Sequence, residues 1–254
     1  MTDQDLLALA ARLAQTAADA ILTVRDAGFA VERKDDQSPV TAADRLAEGI
    51  ILEGLRAATP DIPVVAEEEC SEGVVTAVGR RFWSVDPLDG TREFAAGRDH
   101  YTVNIGLVVD GRAYLGAVAL PAFAEVFTGI VGLGAWKRDA AGERPIGARR
   151  EPEEGLTVFA SRHYAGDERL DRLLAGRRVA AKHEIGSAVK FVRLAEGLGD
   201  IYPRFGRTME WDTVAPEAVL RGAGGRVTQM DGETPLQYGK PGWENPPFLC
   251  RGRA

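Results

Sequence analysis

The segment Asp86–Thr91 carries the side chains in this sequence that best suit chemistry. Asp86 and Asp89 place two carboxylates three positions apart after an apolar stretch that predicts a strand, and the proline between them restricts the backbone. Carboxylate oxygens are ligands that Mg²⁺ prefers. Gly90 lets a ligand approach the backbone, and the amides of Gly90 and Thr91, at a predicted helix start, suit a phosphate. The segment predicts adjacent metal and phosphate sites, although Asp-Pro and Asp-Gly also occur in ordinary turns.

Other acids follow or begin predicted elements and could join this site. Glu67 opens a run of three glutamates after a buried strand predicted at 61–66, and such a run is also typical of a solvated turn. Asp212 begins a predicted helix, where an acid also serves as an N-cap. Asp44 lies three residues after Thr41, a spacing that also predicts a helix cap with an acid in the first turn. Together these acids suggest a metal-dependent hydrolase of phosphate esters.

A second group of residues could bind the organic part of such a substrate. Ser187 and Lys190 lie three apart on a helix predicted at 187–196 and therefore share one face. The Arg204 guanidinium suits phosphate. His163 is one of three histidines. The alternatives are a capped helix with a solvated lysine, and a histidine with a structural role.

The elements that must position these residues follow from apolar periodicity. Spacings of three and four predict a long helix over 3–27 and a second helix over 41–58. Four strand-like segments between 101 and 137 predict an antiparallel meander. The charged, glycine- and proline-rich residues 138–155 predict an exposed linker.

Strands and helices then alternate over 156–229, which predicts an α/β arrangement. We expect an α+β lobe at about 1–140 that carries most metal ligands, and an α/β lobe at about 150–254 that carries Asp212 and the substrate-binding residues. The active site would lie in the cleft between two tightly coupled lobes.

Composition narrows the classes of partner. The chain has 254 residues and a net charge of −7, which disfavours nucleic acid as the main partner. The two cysteines, Cys70 and Cys250, are far apart, so a disulfide framework is not expected and a cytoplasmic location fits best. The N-terminal segment is amphipathic and no apolar run approaches the length of a membrane span, so we expect no transmembrane segment.

Three separated motifs, in this order, resemble the inositol monophosphatase superfamily. They are the pair Glu67-Glu68, the segment Asp86–Thr91, and Trp211-Asp212 before a glycine-rich helix end. The resemblance covers nearly the whole chain. It implies a five-layered αβαβα sandwich, α+β in its first lobe and α/β in its second, and a lithium-sensitive phosphatase that depends on Mg²⁺, with two or three ions per site.

Further segments narrow the resemblance to one branch of that superfamily. The run Arg92-Glu93-Phe94 and the segments 185–190 and 202–206 look like those of 3'(2'),5'-bisphosphate nucleotidases of the bacterial CysQ type. This likeness implies hydrolysis of the 3'-phosphate of adenosine 3',5'-bisphosphate (PAP) to give AMP and phosphate in sulfate assimilation. Some members also remove the 3'-phosphate of PAPS.

The resemblance also implies roles at individual positions. Asp44 and Thr91 would orient and deprotonate the attacking water. Metal ligands are implied at Glu67, Asp86, Leu88 through its carbonyl, Asp89 and Asp212. Substrate contacts are implied at Gly90, Thr91, His163, Ser187, Lys190 and Arg204.

Two alternative functions stay open at this point. One is an inositol monophosphatase or another small-molecule phosphatase of the same superfamily. The other is a non-catalytic regulator that binds a nucleotide, which the full acidic set disfavours. The sequence is compatible with a monomer or a homodimer.

Overall fold

A computed structural model gives the fold and describes residues 1–33, 39–161 and 167–254. The α-helices begin and end as the periodicity and the caps dictate. Their bounds are Asp3–Ala27 (α1), Ala42–Ala58 (α2), Glu67–Ser71 (α3), Thr91–Ala95 (α4), Glu168–Leu174 (α5), Val189–Ala195 (α6) and Val214–Gly222 (α7). A short 3₁₀ helix spans Pro121–Phe123.

The strands form a large sheet, a smaller sheet and one separate pair. The pair is Val31–Arg33 (β1) with Pro39–Thr41 (β2). The large sheet contains, in the order in which they pair, Val64–Ala66 (β3), Arg81–Asp89 (β4), Thr102–Val109 (β5), Arg112–Leu120 (β6), Glu125–Ile130 (β7), Gly134–Asp139 (β8) and Gly142–Ile146 (β9). The strands of the smaller sheet are Leu156–Ala160 (β10), Val179–Glu184 (β11), Ile201–Arg204 (β12), Arg226–Gln229 (β13) and Phe248–Arg251 (β14), paired in the order β11-β10-β12-β14-β13.

Local signals at both N-terminal helices predicted their bounds correctly. Thr2 and Asp5 form a reciprocal capping box at the start of α1, and Gly28 ends that helix with φ +78°. Thr41 and Asp44 form the same box at the start of α2. Each box satisfies backbone N–H groups that have no partner within the helix, so a few adjacent side chains fix where the helix begins.

The predicted linker was partly wrong. Residues 138–155 were expected to be an exposed connection, but they complete β8 and form the whole of β9, which pairs antiparallel with β8. Gly142 adopts φ +100° at the start of β9, so the glycine serves a hairpin. The meander therefore has one strand more than expected. The division into lobes near residues 140–150 stays a prediction.

Helices and sheets alternate in five layers, which confirms the predicted αβαβα sandwich. Helices α1 and α2 cover the outer face of the large sheet with one apolar cluster. Helices α6 and α7 lie between the two sheets, where a second cluster joins them to both. Helix α5 covers the far face of the smaller sheet through Leu170 and Leu174. Along β5, Ile105 and Leu107 belong to the outer cluster and Val108 to the middle one, because neighbouring strand residues point to opposite faces.

Helix α1 also has the length and apolar composition of a membrane-crossing helix. Its apolar side is packed against α2 and against β5, β6 and β7. Leu6, Ala10, Ala14 and Ile21 are buried in that contact. A core helix of a folded domain passes the same test of length and composition, so the result on α1 is weak evidence for a span.

Three glycines bring the middle helix α7 into contact with the backbone of the large sheet. Gly106, Gly116 and Gly129 lie directly opposite one another on β5, β6 and β7. A Cβ atom on Gly116 would lie 2.4 Å from the carbonyl oxygen of Ala215, and one on Gly129 would lie 2.6 Å from Cα of Val219. Both obstacles are helix backbone, so any larger residue on this glycine stripe would push α7 away from the sheet.

We predict that Gly116→Ala lowers the free energy of unfolding by about 1–3 kcal/mol, because the added methyl overpacks a contact between two backbones. Urea unfolding measures the change. Gly49→Ala is the control: Gly49 is in α2, where a Cβ would have nothing within 4 Å. That change should stabilise the protein by about 0.5–1 kcal/mol. Equal responses of the two variants would contradict the role of the stripe.

Candidate active site

Three carboxylates from distant parts of the sequence meet beside a cavity that residues of both sheets line. Asp86 and Asp89 come from the end of β4, and Asp212 from the loop before α7. One oxygen from each lies within 4.8 Å of the other two. Asp86 is buried, and Asp89 and Asp212 are half-buried. Asp89 and Asp212 also line a cavity of about 790 Å³. The structure therefore brings together three of the acids that the sequence suggested as metal ligands.

The turn after β4 follows from its residue types. Asp86 accepts a hydrogen bond from the Leu88 amide at 3.0 Å, a contact typical of Asx turns. The pairing of β4 with β5 is irregular between Asp86 and Asp89, so the strand bulges there. Gly90 ends the turn at φ +97°, and a Cβ on it would lie 3.0 Å from the His100 carbonyl. The turn thus presents both carboxylates and leads directly into α4.

Two further hydrogen bonds hold the carboxylates of Asp89 and Asp212 in place. Asp89 accepts a 2.6 Å bond from the Ala188 amide, 99 positions along the chain, which ties the end of β4 to the start of α6. Asp212 accepts from the Met209 amide at 2.9 Å. The expected helix start at Asp212 was wrong, because α7 begins at Val214 and Asp212 lies in the preceding loop.

Burial raises the pKa of all three carboxyl groups, and the neighbouring acids raise those of Asp86 and Asp212 further. Charged acids crowded in a buried site repel one another unless a cation neutralises them. Asn104 on β5 lies opposite Asp86. The oxygen and the nitrogen of its side-chain amide are both buried and have no hydrogen-bond partner among the described residues. Oxygen donors, unbalanced negative charge and an unsatisfied amide fit a hard divalent cation. Spacing along the chain gave no signal for Asn104.

Glu67 lines the same cavity from the first position of α3. A solvated turn was the alternative for this run of glutamates, and for Glu68 that alternative was wrong, since Glu68 is buried. Glu69 pairs with Arg56. The cause is Glu48 in α2, whose carboxylate accepts the amides of Glu68 and Glu69 at 2.9 Å each. Glu48 thereby anchors the first turn of α3, and its position 20 residues away left no local signal.

Thr91 and Asp44 are in direct contact. The Thr91 hydroxyl lies 3.0 Å from Oδ1 of Asp44 and 3.1 Å from the Leu88 carbonyl oxygen. Asp44 Oδ2 accepts from the amide and the hydroxyl of Thr41, at 2.7 Å each. Asp44 therefore caps α2 and also contacts Thr91, and its catalytic role stays a prediction. Burial raises the pKa of Asp44. The Leu88 side chain is buried in the outer core cluster.

The predicted substrate residues Ser187, Lys190 and Arg204 line the cavity together with Gly90 and Thr91. Ser187 lies before α6, at φ +46°, and not within the helix as expected. Lys190 is 2% exposed, so the alternative of a solvated lysine was wrong. Arg204 ends β12 and donates to the Arg207 carbonyl at 2.9 Å. His163 lies outside the described residues.

Lys190 is held by backbone groups rather than by solvent. Its ammonium donates to the carbonyls of Ile185 at 3.1 Å and Ser187 at 2.5 Å, and it lies 4.9 Å from the centre of the Tyr202 ring. Burial lowers the pKa of Lys190 to about 7, and the charge of Asp89 opposes this effect. When protonated, Lys190 therefore places positive charge in the cavity wall near Asp89.

A buried polar network that the sequence did not predict supports the Asp212 loop. Glu210 accepts from the amides of Gly239 at 2.6 Å and Lys240 at 3.0 Å. Asn245 donates to the Met209 carbonyl at 2.7 Å. Because these partners lie about 30 positions away, only the folded chain brings them together. Residues 239–245 thus fix the loop that carries Asp212.

The chain belongs to the inositol monophosphatase family, whose model matches residues 2–248. It is 40% identical over 239 residues to the 3'(2'),5'-bisphosphate nucleotidase CysQ of Salmonella typhimurium, with 93% of this chain and 96% of the relative covered. It is 35% identical over 257 residues to the 3'-phosphoadenosine 5'-phosphate phosphatase of Mycobacterium leprae, covering 96% and 88% of the two chains. The crystal structure of CysQ from Bacteroides thetaiotaomicron superposes with a TM-score of 0.83 at 30% identity, over 99% and 98% of the two chains.

A buried acid in α7 gives a prediction on stability. Glu217 is fully buried and accepts from the hydroxyl of Tyr238 at 2.5 Å and from Arg221 at 3.2 Å. Burial raises the pKa of Glu217 from 4.5 to about 7. Between these values the folded protein holds a proton that the unfolded chain releases, so stability falls as pH rises through this window.

We predict that the free energy of unfolding of the wild type falls by on the order of 2 kcal/mol relative to that of Glu217→Gln between about pH 5 and pH 8, since the amide stays neutral. Urea unfolding at a series of pH values measures the difference. Glu53→Gln, at an exposed position of α2, is the control and should follow the wild type. If the free energy of unfolding of Glu217→Gln varied with pH in parallel with that of the wild type, the prediction would be wrong.

Proposed function

We propose that this protein is a Mg²⁺-dependent phosphatase that hydrolyses the 3'-phosphate of PAP to give AMP and phosphate in sulfur assimilation. The observation that carries the proposal is one cavity that joins the acid cluster to Lys190 and Arg204. The named activities of the relatives from Salmonella typhimurium and Mycobacterium leprae support this substrate. PAPS carries the same 3'-phosphate and is proposed as a second substrate.

The acidic residues would hold the metal ions. Asp86, Asp89 and Asp212 supply clustered carboxylate oxygens. Glu67 and the Leu88 carbonyl are proposed as further ligands, giving two and at most three ions. When bound, the ions shield the charge of the phosphate and acidify a nearby water.

Thr91 and Asp44 would handle the proton of the attacking water. The Thr91 hydroxyl donates to Asp44, so its oxygen can still accept a hydrogen bond from the attacking water. As the water oxygen bonds to phosphorus, its proton passes to Thr91 Oγ1, and the Thr91 proton passes to Asp44. The 3'-oxygen leaves with the electron pair of its bond to phosphorus and takes a proton from solvent. A buried carboxylate with a raised pKa suits this role as proton acceptor.

The rest of the substrate would contact the opposite wall of the cavity. The amides of Gly90 and Thr91 precede and open α4, where helical N–H groups lack an acceptor within the helix, and they are proposed to bind the scissile phosphate. Ser187, Lys190 and Arg204 would bind the nucleotide and its second phosphate. His163 stays a proposed contact on sequence grounds alone.

Two features of the cellular setting also stay proposals. A cytoplasmic location is supported by free Cys70 and Cys250, which fit a reducing compartment. A small phosphate ester as the partner, without nucleic acid, agrees with the net charge of −7. Both a monomer and a homodimer are compatible with this site.

We predict that PAP is hydrolysed faster than inositol 1-phosphate, fructose 1,6-bisphosphate or histidinol phosphate at equal concentration, because Lys190 and Arg204 offer charge to a second phosphate. Phosphate release with Mg²⁺ measures the rates. A preference for inositol 1-phosphate would overturn the nucleotidase and leave another phosphatase of the family.

The same preparation separates an enzyme from a regulator. Asp89→Asn should abolish turnover because it removes a proposed metal ligand. Asp99→Asn, at an exposed acid outside the cavity, should leave turnover unchanged. Binding of PAP by the wild type without Mg²⁺-dependent hydrolysis would favour the regulator.

A pair of Thr91 variants isolates the proton-transfer role. Thr91→Ser keeps the hydroxyl and should retain kcat within about tenfold, whereas Thr91→Val removes it and should lower kcat by about 10²–10⁴. Steady-state kinetics at saturating Mg²⁺ measure both. Similar losses in the two variants would show that packing at Thr91 matters rather than its hydroxyl.

A further inference from the structure

A second pocket lies at the other end of the smaller sheet. Its volume is about 80 Å³, and the residues around it begin β10, β12 and β13 and end β14. The candidate active site adjoins the opposite ends of β10, β12 and β14. The two pockets are thus separated by the length of these strands, and they share no lining residue among those that the structure describes.

Positive charge is concentrated in this pocket, although the whole chain carries a net charge of −7. Four arginines line it: Arg177, Arg226, Arg251 and Arg253. Two carboxylates also line it, and each already has an arginine partner. Glu151 forms an ion pair with Arg177, and Asp200 forms a bidentate ion pair with Arg149. The acids therefore leave most of the positive charge in the pocket uncompensated.

Arg251 is the central group of this cluster. Arg226 lies directly opposite it on β13, so the two side chains share one face of the sheet. Across the described ranges, neither Arg226 nor Arg251 forms an ion pair, and the buried Nε of Arg251 has no hydrogen-bond partner. Burial and the charges of Arg177 and Arg226 lower the pKa of Arg251. Like charges placed opposite each other destabilise a sheet. A bound anion would offset this repulsion and accept a hydrogen bond from the buried Nε of Arg251.

We propose that the pocket lined by Arg177, Arg226, Arg251 and Arg253 is a binding site for a tetrahedral oxyanion, either free phosphate or sulfate or the phosphate group of a larger molecule. Planar guanidinium groups match the oxygens of such an anion through paired hydrogen bonds. The volume of about 80 Å³ suits a few heavy atoms and is well below that of pockets for drug-sized ligands. The site does not depend on the proposed catalytic function.

The main test is calorimetric titration of the full-length protein with inorganic phosphate at fixed ionic strength. Arg251→Gln and Arg226→Gln should each raise Kd for phosphate by about tenfold or more, as expected for a lost charged hydrogen bond. Arg138→Gln, an exposed arginine on β8 of the other sheet, is the matched control and should bind like the wild type. Phosphate that enters the catalytic cavity contributes equally to all four proteins.

Thermal unfolding gives a second readout that a purely structural arginine would not produce. In chloride, Arg226→Gln should melt at or above the wild-type temperature, because the variant removes repulsion from Arg251. In phosphate at equal ionic strength the order should reverse, because bound anion stabilises the wild type more. This crossover also shows that the variant is folded.

Ribose 5-phosphate, titrated in the same way, distinguishes the two sources of the anion. Binding that weakens in Arg251→Gln identifies the phosphate group of a larger molecule, and binding of inorganic phosphate alone identifies the free ion. Equal Kd values for phosphate in the wild type, Arg226→Gln and Arg251→Gln would overturn the proposal. A wild-type melting temperature that rises no more with phosphate than with chloride would also overturn it.

Discussion

The contact of α7 with the glycine stripe sets the distance on which the candidate site depends. Asp212 lies two residues before α7, whereas Asp86 and Asp89 belong to β4, next to the first strand of the stripe. A Cβ on Gly106 would lie 2.6 Å from the Ala215 amide nitrogen, so helix and sheet approach as closely as their backbones allow. Mg²⁺ accepts little variation in ligand distance. A helix held farther from the sheet would carry Asp212 away from the other two acids, and these glycines therefore matter to a site they do not touch.

Electrostatics makes the same site incomplete without a cation. Three carboxyl groups lie together with raised pKa values, and burial is the largest cause for each. The hydrogen bond from Ala188 to Asp89 and the charge of Lys190 offset only part of this cost. The fold therefore holds the acids in place at the expense of stability, which is common where a site must bind a charged ligand. The same hydrogen bond connects β4 to α6, so one contact holds together the proposed metal site and the proposed substrate-binding wall.

The sequence predicted the features that depend on neighbouring residues. The capping boxes at Thr2 and Thr41, the turn at Asp86–Thr91 and the alternating second half all carry local signals. The family resemblance added the fold, which the structure confirms, and the roles of individual residues, which remain predictions. Contacts between distant residues were missed. Glu48 reaches α3 across 20 positions, and the glycine stripe needs three paired strands to exist. The spacing of Ser187 and Lys190 correctly suggested proximity, but it could not show that Lys190 would be buried.

The two charged pockets follow different rules although both suit anions. The candidate active site is lined by acids, so the proposed phosphate ester would bind there only after cations had reversed the local charge. The arginine pocket is positive without any added ion, because Arg226 and Arg251 face each other on adjacent strands and the nearby acids are already paired. Chelation of divalent ions should therefore distinguish the two pockets. It should remove the attraction for phosphate at the acid cluster and leave the affinity of the arginine pocket for phosphate unchanged. If both proposals hold, opposite ends of the same three strands carry one anion site that depends on metal and one that does not.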